Sequence, residues 1–144
     1  MRIILATLAL SVVAVVGAGG AQSITGPALI RVTAVTDFER PLEGPEVQVS
    51  TIRDSHGGRI GWAAVLCRDL GGGGPLGTKS AYCFGSYNFP KGRIQTSGTR
   101  KGRSSYVMAV VGGTGLYSNV GGVLLVRTIR LKPRTETLLF SLEP

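Results

Sequence analysis

The sequence predicts an all-β protein whose short strands close into an antiparallel barrel, and three observations support this. The 144 residues are 43% hydrophobic and 17% charged, which is typical of one folded domain rather than a disordered chain. The 22 glycines and 7 prolines disfavour a helical bundle. Short runs rich in β-branched residues recur between turn signals, as in a β-sandwich or a barrel. The barrel is favoured because closure leaves no exposed sheet edge.

Residues 1–21 have the pattern of a signal peptide. Met1 and Arg2 supply a positive charge, an apolar run of about fourteen to sixteen residues follows, and residues 17–21 are small. The run is shorter than the ~20 residues that a membrane-spanning helix needs. We therefore expect cleavage after Ala21, a secreted single domain over residues 22–144, and no stable membrane span.

Eight segments of the mature chain are predicted to be strands. They cover residues 28–36, 47–53, 59–67, 79–89, 93–99, 106–111, 122–129 and 135–142. Residues 37–46 contain four acids and two prolines and predict an acidic loop. Residues 71–79 are rich in glycine and predict a flexible loop, and the Gly-Gly-Thr-Gly stretch at 112–115 predicts a tight turn.

Cys67 and Cys83 are the two cysteines of the chain. In an exported domain a pair of cysteines is more often bonded than free, so we expect a disulfide between them. It would close a loop of about seventeen residues and stabilise the fold by roughly 3 kcal/mol. The alternative, a reactive thiol at either position, requires a lowered thiol pKa that a sequence does not show.

Other motifs indicate ordinary structure. Thr78 separates the last glycine of the glycine-rich loop from Lys79, so the loop does not match a phosphate-binding loop. His56, the one histidine, lies in a predicted turn and is expected to be exposed rather than catalytic. The acids of residues 37–46 match no calcium-loop spacing and are expected to be solvated. One histidine and two cysteines are too few for a structural zinc site, and no metal is expected.

The chain is strongly basic, with a formal net charge of +8. The basic residues concentrate in two groups, which are Lys91, Arg93, Arg100, Lys101 and Arg103, and Arg127, Arg130, Lys132 and Arg134. A basic face of this kind attracts anionic cell-surface polymers and also nucleic acid. Because export separates the protein from most nucleic acid, we do not expect nucleic acid as its partner.

Several short motifs between residues 28 and 142 carry a family resemblance. They are Gly-Arg-Ile-Gly at 58–61, Ala-Tyr-Cys-Phe-Gly-Ser-Tyr-Asn-Phe at 81–89, Gly-Arg-Ile-Gln-Thr-Ser-Gly at 92–98, Ala-Val-Val-Gly-Gly-Thr-Gly-Leu-Tyr at 109–117 and Leu-Leu-Phe-Ser-Leu at 138–142. With them the chain resembles the allene oxide cyclase and dirigent barrel superfamily, particularly its small secreted bacterial members. The resemblance implies an eight-stranded antiparallel barrel with an apolar lumen, which has room for one small ligand.

The resemblance also implies a function. The cyclases fold a reactive fatty-acid epoxide in the lumen, and dirigent proteins steer the coupling of phenoxy radicals, both by positioning and without a metal. It therefore implies a small apolar or phenolic ligand and no cofactor. Any activity would be of an isomerase or cyclase type. The resemblance is also compatible with a homo-oligomer. Residues 33–36 stand where the cyclases carry a lumen glutamate, which disfavours allene oxide cyclisation itself. The expected lumen or mouth residues are Asp37, Tyr82, Phe84, Arg100 and Tyr106.

Two hypotheses of function follow from the sequence. The first is a secreted dirigent-like barrel that binds a small apolar or phenolic molecule in its lumen and steers its cyclisation or coupling. The alternative is a non-catalytic secreted module whose basic face binds anionic cell-surface polymers. The first predicts an interior that accepts an apolar ligand, and the second predicts binding that weakens steeply with salt.

Overall fold

The computed structural model describes residues 23–40, 45–71, 80–102 and 104–144, and these form one closed antiparallel barrel. Its eight strands follow one another around the barrel in sequence order, and β8 pairs with β1 to close it. The strands are β1 (Ala28–Arg40), β2 (Glu46–Arg53), β3 (Arg59–Asp69), β4 (Ser80–Phe89), β5 (Gly92–Lys101), β6 (Ser105–Gly115), β7 (Gly121–Leu131) and β8 (Arg134–Glu143). The predicted fold class is confirmed. The predicted signal segment, residues 1–21, lies outside the described residues.

Side chains alternate between the lumen and the outer surface along each strand, as a barrel requires. In β8, Leu138, Phe140 and Leu142 are buried in the lumen, whereas Ser141 and Glu143 are exposed. The buried hydrophobic residues of all eight strands form one cluster inside the barrel. The lumen is therefore the hydrophobic core of this protein.

Two stretches that the sequence assigned to loops are parts of strands. β1 continues to Arg40, because a β-bulge between Thr36 and Phe38 absorbs one residue and keeps the strand paired. β6 continues through residues 112–115, which pair with the start of β5. A Cβ at Gly113 would lie 2.3 Å from the carbonyl oxygen of Arg93, so glycine permits a close strand contact there. The turn itself comes later, at residues 116–119.

Cys67 and Cys83 form a disulfide, as expected. The two residues are direct partners across β3 and β4, with their Cα atoms 4.0 Å apart, and both are buried. The bond leaves neither cysteine as a free thiol. It joins the two strands on either side of the glycine-rich segment, most of which lies outside the described residues.

One end of the lumen is filled by aromatic rings, and we call it the apolar end. The Phe140 ring contacts Tyr87 edge-on with centroids 5.1 Å apart and Phe89 with centroids 5.9 Å apart. Phe89 also contacts Tyr117 of the β6–β7 turn at 5.8 Å. A Cβ at Gly85 would lie 2.7 Å from the Tyr87 ring, so the glycine makes room for that ring. Such ring pairs add to the free energy gained from apolar burial.

Among the described residues there is no helix long and apolar enough to cross a membrane.

Candidate functional site

The opposite end of the lumen contains a group of polar side chains that we call the polar cluster. Its members are Glu46 and Gln48 of β2, Arg100 of β5, Tyr106 of β6, and Arg134 and Glu136 of β8. Odd-numbered strands end at this side of the barrel and even-numbered strands begin there, because neighbouring strands are antiparallel. Residues near the end of β5 and the starts of β2, β6 and β8 are thereby brought together. We call the end of the barrel that contains the polar cluster the polar end.

Arg134, Glu136 and Gln48 form one half of the polar cluster. Arg134 donates to Oε1 of Glu136 through Nε at 2.8 Å and through Nη2 at 2.7 Å. Gln48 Nε2 donates to the other carboxylate oxygen, Oε2, at 3.1 Å, and to Thr36 Oγ1 at 3.0 Å. Arg134 Nη1 also lies 3.8 Å from Oε1 of Glu39. Both oxygens of the buried Glu136 carboxylate are therefore held by donors, which offsets the cost of burying a charge.

The electrostatics of Arg134 follow from these contacts. Burial alone would lower the pKa of its guanidinium, because burial disfavours the charged form. The charge and hydrogen bond of Glu136 outweigh burial, with smaller contributions from Tyr106 and Glu39, so the pKa is raised overall. Arg134 therefore stays a cation inside the barrel.

Arg100 and Glu46 form the other half of the polar cluster. Arg100 Nη2 donates to Oε2 of Glu46 at 2.6 Å. Strands β2 and β5 are separated by β3 and β4 in the barrel, so this ion pair crosses the lumen. The Arg100 guanidinium carbon also lies 5.8 Å from the centroid of the Tyr106 ring, within the range of a cation–π contact.

Arg100 has one donor group that these contacts leave unused. Its side chain is 95% buried, and Nη1 has no hydrogen-bond partner among the residues that the structure describes. A buried donor without a partner costs about 1–3 kcal/mol, and more when it belongs to a charged group. Nη1 is thus a strong donor inside the barrel that a ligand oxygen can satisfy.

Tyr106 is a neutral phenol in the middle of these charges. Its burial and then the negative charge of Glu136 raise the pKa, while Arg100 and Arg134 lower it, and the result is about 12. Burial likewise raises the pKa of Tyr87, deeper in the lumen. At neutral pH both hydroxyls therefore keep their protons and can donate hydrogen bonds.

The structure separates the five residues that the sequence placed in the lumen or mouth. Arg100 and Tyr106 lie inside the barrel. Tyr82 and Phe84 do not: both are exposed on the outer surface, so their predicted lumen position is wrong. The reason is the alternation of β4, in which Cys83 points inward and its two neighbours must point outward. The Tyr82 hydroxyl instead hydrogen-bonds Ser97 on the outer surface.

Asp37 lies on the bulge of β1 and is exposed. Its carboxylate accepts a hydrogen bond from Thr51 Oγ1 at 2.7 Å, and Thr51 alternates with Ser50 and Ile52, which face the lumen. Asp37 is therefore held at the outer side of the barrel wall. A ligand-binding role for any of the five residues stays a prediction.

Two predictions about charged residues are corrected. Arg100 and Arg134 were assigned to a basic face, yet both are buried in the lumen. Glu39 and Glu46 were assigned to a solvated acidic loop, yet they make ion pairs with these two arginines. The cause is the same in each case, because long side chains at strand ends turn into the barrel where an opposite charge meets them.

The remaining basic residues form a smaller exposed group at the polar end. Lys101, Arg127, Arg130 and Lys132 are exposed there, whereas Lys91 and Arg93 are exposed at the opposite end. Arg103 lies outside the described residues. His56 is exposed in the β2–β3 turn, as expected. In the described part of the chain, no three His, Cys, Asp or Glu side chains come together as metal ligands.

The chain is therefore a closed eight-stranded barrel with charged groups buried at one end of its lumen. No protein-family model and no curated protein matches the sequence. Solved structures do match, and they show that this chain has the allene oxide cyclase/dirigent-like barrel fold, which confirms the predicted resemblance.

Three of the similar structures illustrate the match. Pyocyanin demethylase aligns with a TM-score of 0.66 and 17% identity over 78% of this chain and 99% of its own. The pterocarpan synthase dirigent protein GePTS1 aligns with a TM-score of 0.63 and 12% identity over 96% of this chain and 99% of its own. The Diels-Alderase AbmU from Streptomyces koyangensis aligns with a TM-score of 0.62 and 18% identity over 81% of this chain and 69% of its own. At these identities the similarity establishes the fold alone.

Proposed function

We propose that this protein is a secreted barrel that binds a small apolar or phenolic molecule in its lumen and steers its cyclisation or coupling without a cofactor. The observation that carries the proposal is the polar cluster inside the lumen. Replacing a buried ion pair by apolar residues is often neutral or stabilising, so stability alone does not account for two of them in one small barrel. A pair of dirigent and Diels-Alderase structures with the same fold supports the same interpretation.

The two ends of the lumen would orient such a ligand. The apolar end is filled by the rings of Phe89, Tyr117 and Phe140, so the ligand enters from the polar end. Its apolar part contacts the apolar wall, and its oxygen atoms contact the donors of Arg100 and Tyr106. Few convergent polar groups in an apolar site are typical of small-molecule sites. Holding a flexible molecule in one reactive conformation lowers the barrier by several kcal/mol, on the order of the effect of proximity and orientation.

A dye-binding experiment tests the proposal. Nile red, a neutral apolar dye, is expected to bind with a blue-shifted emission. The variant Ala63→Phe places a ring inside the barrel, because Ala63 is buried in the lumen, and is expected to abolish binding. Ala109→Phe adds the same ring on the exposed outer side of β6 and serves as the matched control.

Circular dichroism verifies that both variants fold, and the more conservative Ala34→Leu replaces Ala63→Phe if overpacking prevents folding. Loss of dye binding in the lumen variant alone supports the proposal. No binding to the unmodified protein, or equal binding to both variants, overturns it.

Export is the second component of the proposal, and the Cys67–Cys83 disulfide supports it. Disulfides persist in oxidising compartments and are rare in the cytoplasm. When the full chain is expressed in a secreting bacterial host, mass spectrometry of the exported protein is expected to find Gln22 as the first residue and both cysteines oxidised. A chain that stays in the cytoplasm with residues 1–21 attached contradicts export.

The alternative function rests on the exposed basic group at the polar end. Lys101, Arg127, Arg130 and Lys132 would bind anionic cell-surface polymers through charge, and such binding weakens as salt screens it. The variant Arg127→Ser/Arg130→Ser is expected to weaken retention on a polyanionic resin if this function holds. Retention that is independent of salt and of these residues contradicts it.

A further inference from the structure

The β7–β8 hairpin projects from the polar end of the barrel. The last residue pair between β6 and β7 is Ser105 with Arg127, and the last pair between β8 and β1 is Thr135 with Val35. Beyond these pairs the hairpin forms strand pairs only within itself, among the residues that the structure describes. We call residues 129–133 the hairpin tip, and every side chain of the tip is exposed.

Two large apolar side chains lie on the hairpin tip. Ile129 is 59% exposed and Leu131 is 76% exposed. The turns at the opposite end of the barrel, residues 54–58, 90–91 and 116–120, expose no large hydrophobic side chain. Single exposed apolar residues are common on protein surfaces, but apolar side chains grouped on a projecting tip are typical of a contact site. The tip therefore has apolar surface that contact with a partner would bury.

Exposed cations flank these apolar side chains. Arg127, Arg130 and Lys132 precede, separate and follow them along the hairpin. Residues 127–134 contain no acidic residue. In the described part of the chain, none of the three cations makes an ion pair. The hairpin thus presents apolar groups within a positively charged surface.

The other exposed charges of the polar end do not cancel this positive charge. Cations outnumber acids among them as well, where the structure describes the chain. These charges are Arg40, Arg68 and Lys101 against Asp37 and Asp69. Glu39 and Glu46 are partly buried and contact the lumen arginines Arg134 and Arg100. A partner that approaches the hairpin from solvent therefore meets a positive surface.

The combination of charge and apolar surface selects one class of partner. A second copy of this chain in a symmetric contact would place the same cations against one another, which is unfavourable. An anionic polymer would satisfy the cations and leave Ile129 and Leu131 in water. An anionic phospholipid bilayer satisfies both groups, because its phosphates lie at the surface and its acyl chains lie directly beneath them.

We propose that the β7–β8 hairpin docks on the surface of an anionic phospholipid bilayer. Its two exposed apolar side chains reach the acyl chains, and its three exposed cations contact the phosphates. Leu131 pairs with Arg134, whose side chain lies in the lumen, so the hairpin borders the polar end of the lumen. Docking therefore turns this end of the barrel toward the lipid. The inference concerns a surface and is independent of what the lumen binds.

Cosedimentation with vesicles tests the docking. All eight strands lie within residues 28–143, so the tested chain begins at Gln22, which keeps the apolar residues 3–16 from binding lipid themselves. We expect this chain to bind vesicles of phosphatidylcholine with about one third phosphatidylglycerol. Binding to vesicles of phosphatidylcholine alone should be at least about tenfold weaker, because the negative surface potential attracts each cation.

A first variant removes the apolar part of the contact. Ile129→Ser/Leu131→Ser keeps every cation and should weaken binding to the anionic vesicles at least about tenfold, since large aliphatic side chains then no longer leave water. Leu29→Ser/Val123→Ser is the matched control. Both residues are exposed on the outer wall near the starts of β1 and β7, away from the polar end, and binding should not change.

A second variant removes charge. Arg127→Ser/Arg130→Ser should also weaken binding to the anionic vesicles by about tenfold or more, and should leave the weak binding to phosphatidylcholine unchanged. Lys91→Ser/Arg93→Ser removes two exposed cations at the opposite end and is the control, with binding expected to stay as in the unmodified chain. Circular dichroism verifies that all four variants fold.

Tryptophan emission reports whether the hairpin tip itself enters the lipid. Trp62 is the one tryptophan of the chain, so the measurement uses a Trp62→Phe background. With Leu131→Trp, the emission should shift to the blue on anionic vesicles and be quenched by brominated acyl chains. Ala109→Trp, on the exposed outer side of β6, is the control and should show neither change.

The outcomes separate this inference from its competitors. Absence of binding to anionic vesicles, unchanged binding of Ile129→Ser/Leu131→Ser, or unchanged emission of Leu131→Trp overturns it. If only Arg127→Ser/Arg130→Ser loses binding, to vesicles and to a polyanionic resin alike, the cations serve the alternative function instead. Concentration-dependent self-association that Ile129→Ser/Leu131→Ser abolishes would show that a second copy covers the tip, and this too overturns the inference. Nile red binding in the lumen decides the proposed function separately.

Discussion

The two ends of the lumen are built on different physical principles. At the apolar end, Phe140 and Leu142 are fully buried and the aromatic rings contact one another edge-on, so burial of apolar surface stabilises the fold. At the polar end, Arg100, Arg134 and Glu136 are almost as deeply buried but carry charge. Removing these charges from water costs free energy, and the ion pairs offset that cost. The comparison teaches that one end maintains the barrel by apolar burial, while the other buries charges that stability alone does not require.

The largest expected change in stability comes from a substitution at the apolar end. Phe140→Ala removes a fully buried ring that contacts two others and should lower the free energy of unfolding by about 3–5 kcal/mol. Urea denaturation followed by circular dichroism measures the change. Val107→Ala, at a position half exposed on the outer surface, is the control and should change stability by no more than about 0.5 kcal/mol. A loss below about 1 kcal/mol for Phe140→Ala would show that the rings are not the basis of stability.

An intermediate effect is expected from alkaline pH, through Tyr106. Its pKa is raised from 10.0 to about 12 in the fold, so the unfolded chain loses this proton first as the pH rises. The stabilisation is complete below about pH 10 and is lost between about pH 10 and 12, amounting to roughly 3 kcal/mol at most. Urea denaturation at pH 9 to 12 measures it.

Tyr106→Phe should reduce this alkaline loss of stability without abolishing it, because burial raises the pKa of Tyr87 even further and that residue contributes to the same loss. Tyr82→Phe, on the outer surface, is the matched control and should leave the loss unchanged. The same alkaline loss in Tyr106→Phe and in the unmodified protein would contradict the assignment.

The smallest expected change in stability comes from replacing an ion pair at the polar end. Arg134→Met/Glu136→Leu replaces the most deeply buried ion pair by apolar side chains, and the free energy of unfolding should change by no more than about 1 kcal/mol, with stabilisation as the favoured direction. Urea denaturation again gives the value, with Arg127→Met as a surface control. A loss above about 3 kcal/mol would mean that this ion pair serves stability and would remove the main contrast between the two ends.

Much of the fold was predictable, because it depends on local patterns. The alternation of Leu138, Phe140 and Leu142 gives the last strand and its inward face, and the turn residues separate the eight strands. Residues 112–115 were misassigned because glycine marks both turns and close strand contacts, and only the pairing with β5 distinguishes them. The bulge at Asp37 was likewise hidden, since it depends on the partner strand.

The site was only partly predictable. Glu136 carries a signal that could have been used, because it shares the inward phase of Leu138 and Phe140 and is therefore a charge placed in the lumen. The inward position of Cys83 likewise excluded Tyr82 and Phe84 from the lumen. The ion pairs themselves join residues 54 positions apart in one case and depend on how long side chains meet across the barrel, which no local pattern records.

The ion pair between Glu46 and Arg100 also ties the barrel wall together. Because it joins β2 to β5, which are not neighbours, it links parts of the wall that share no backbone hydrogen bonds. Any motion that moves these two strands apart must first break the pair. The polar end therefore carries a side-chain brace in addition to its backbone ladder.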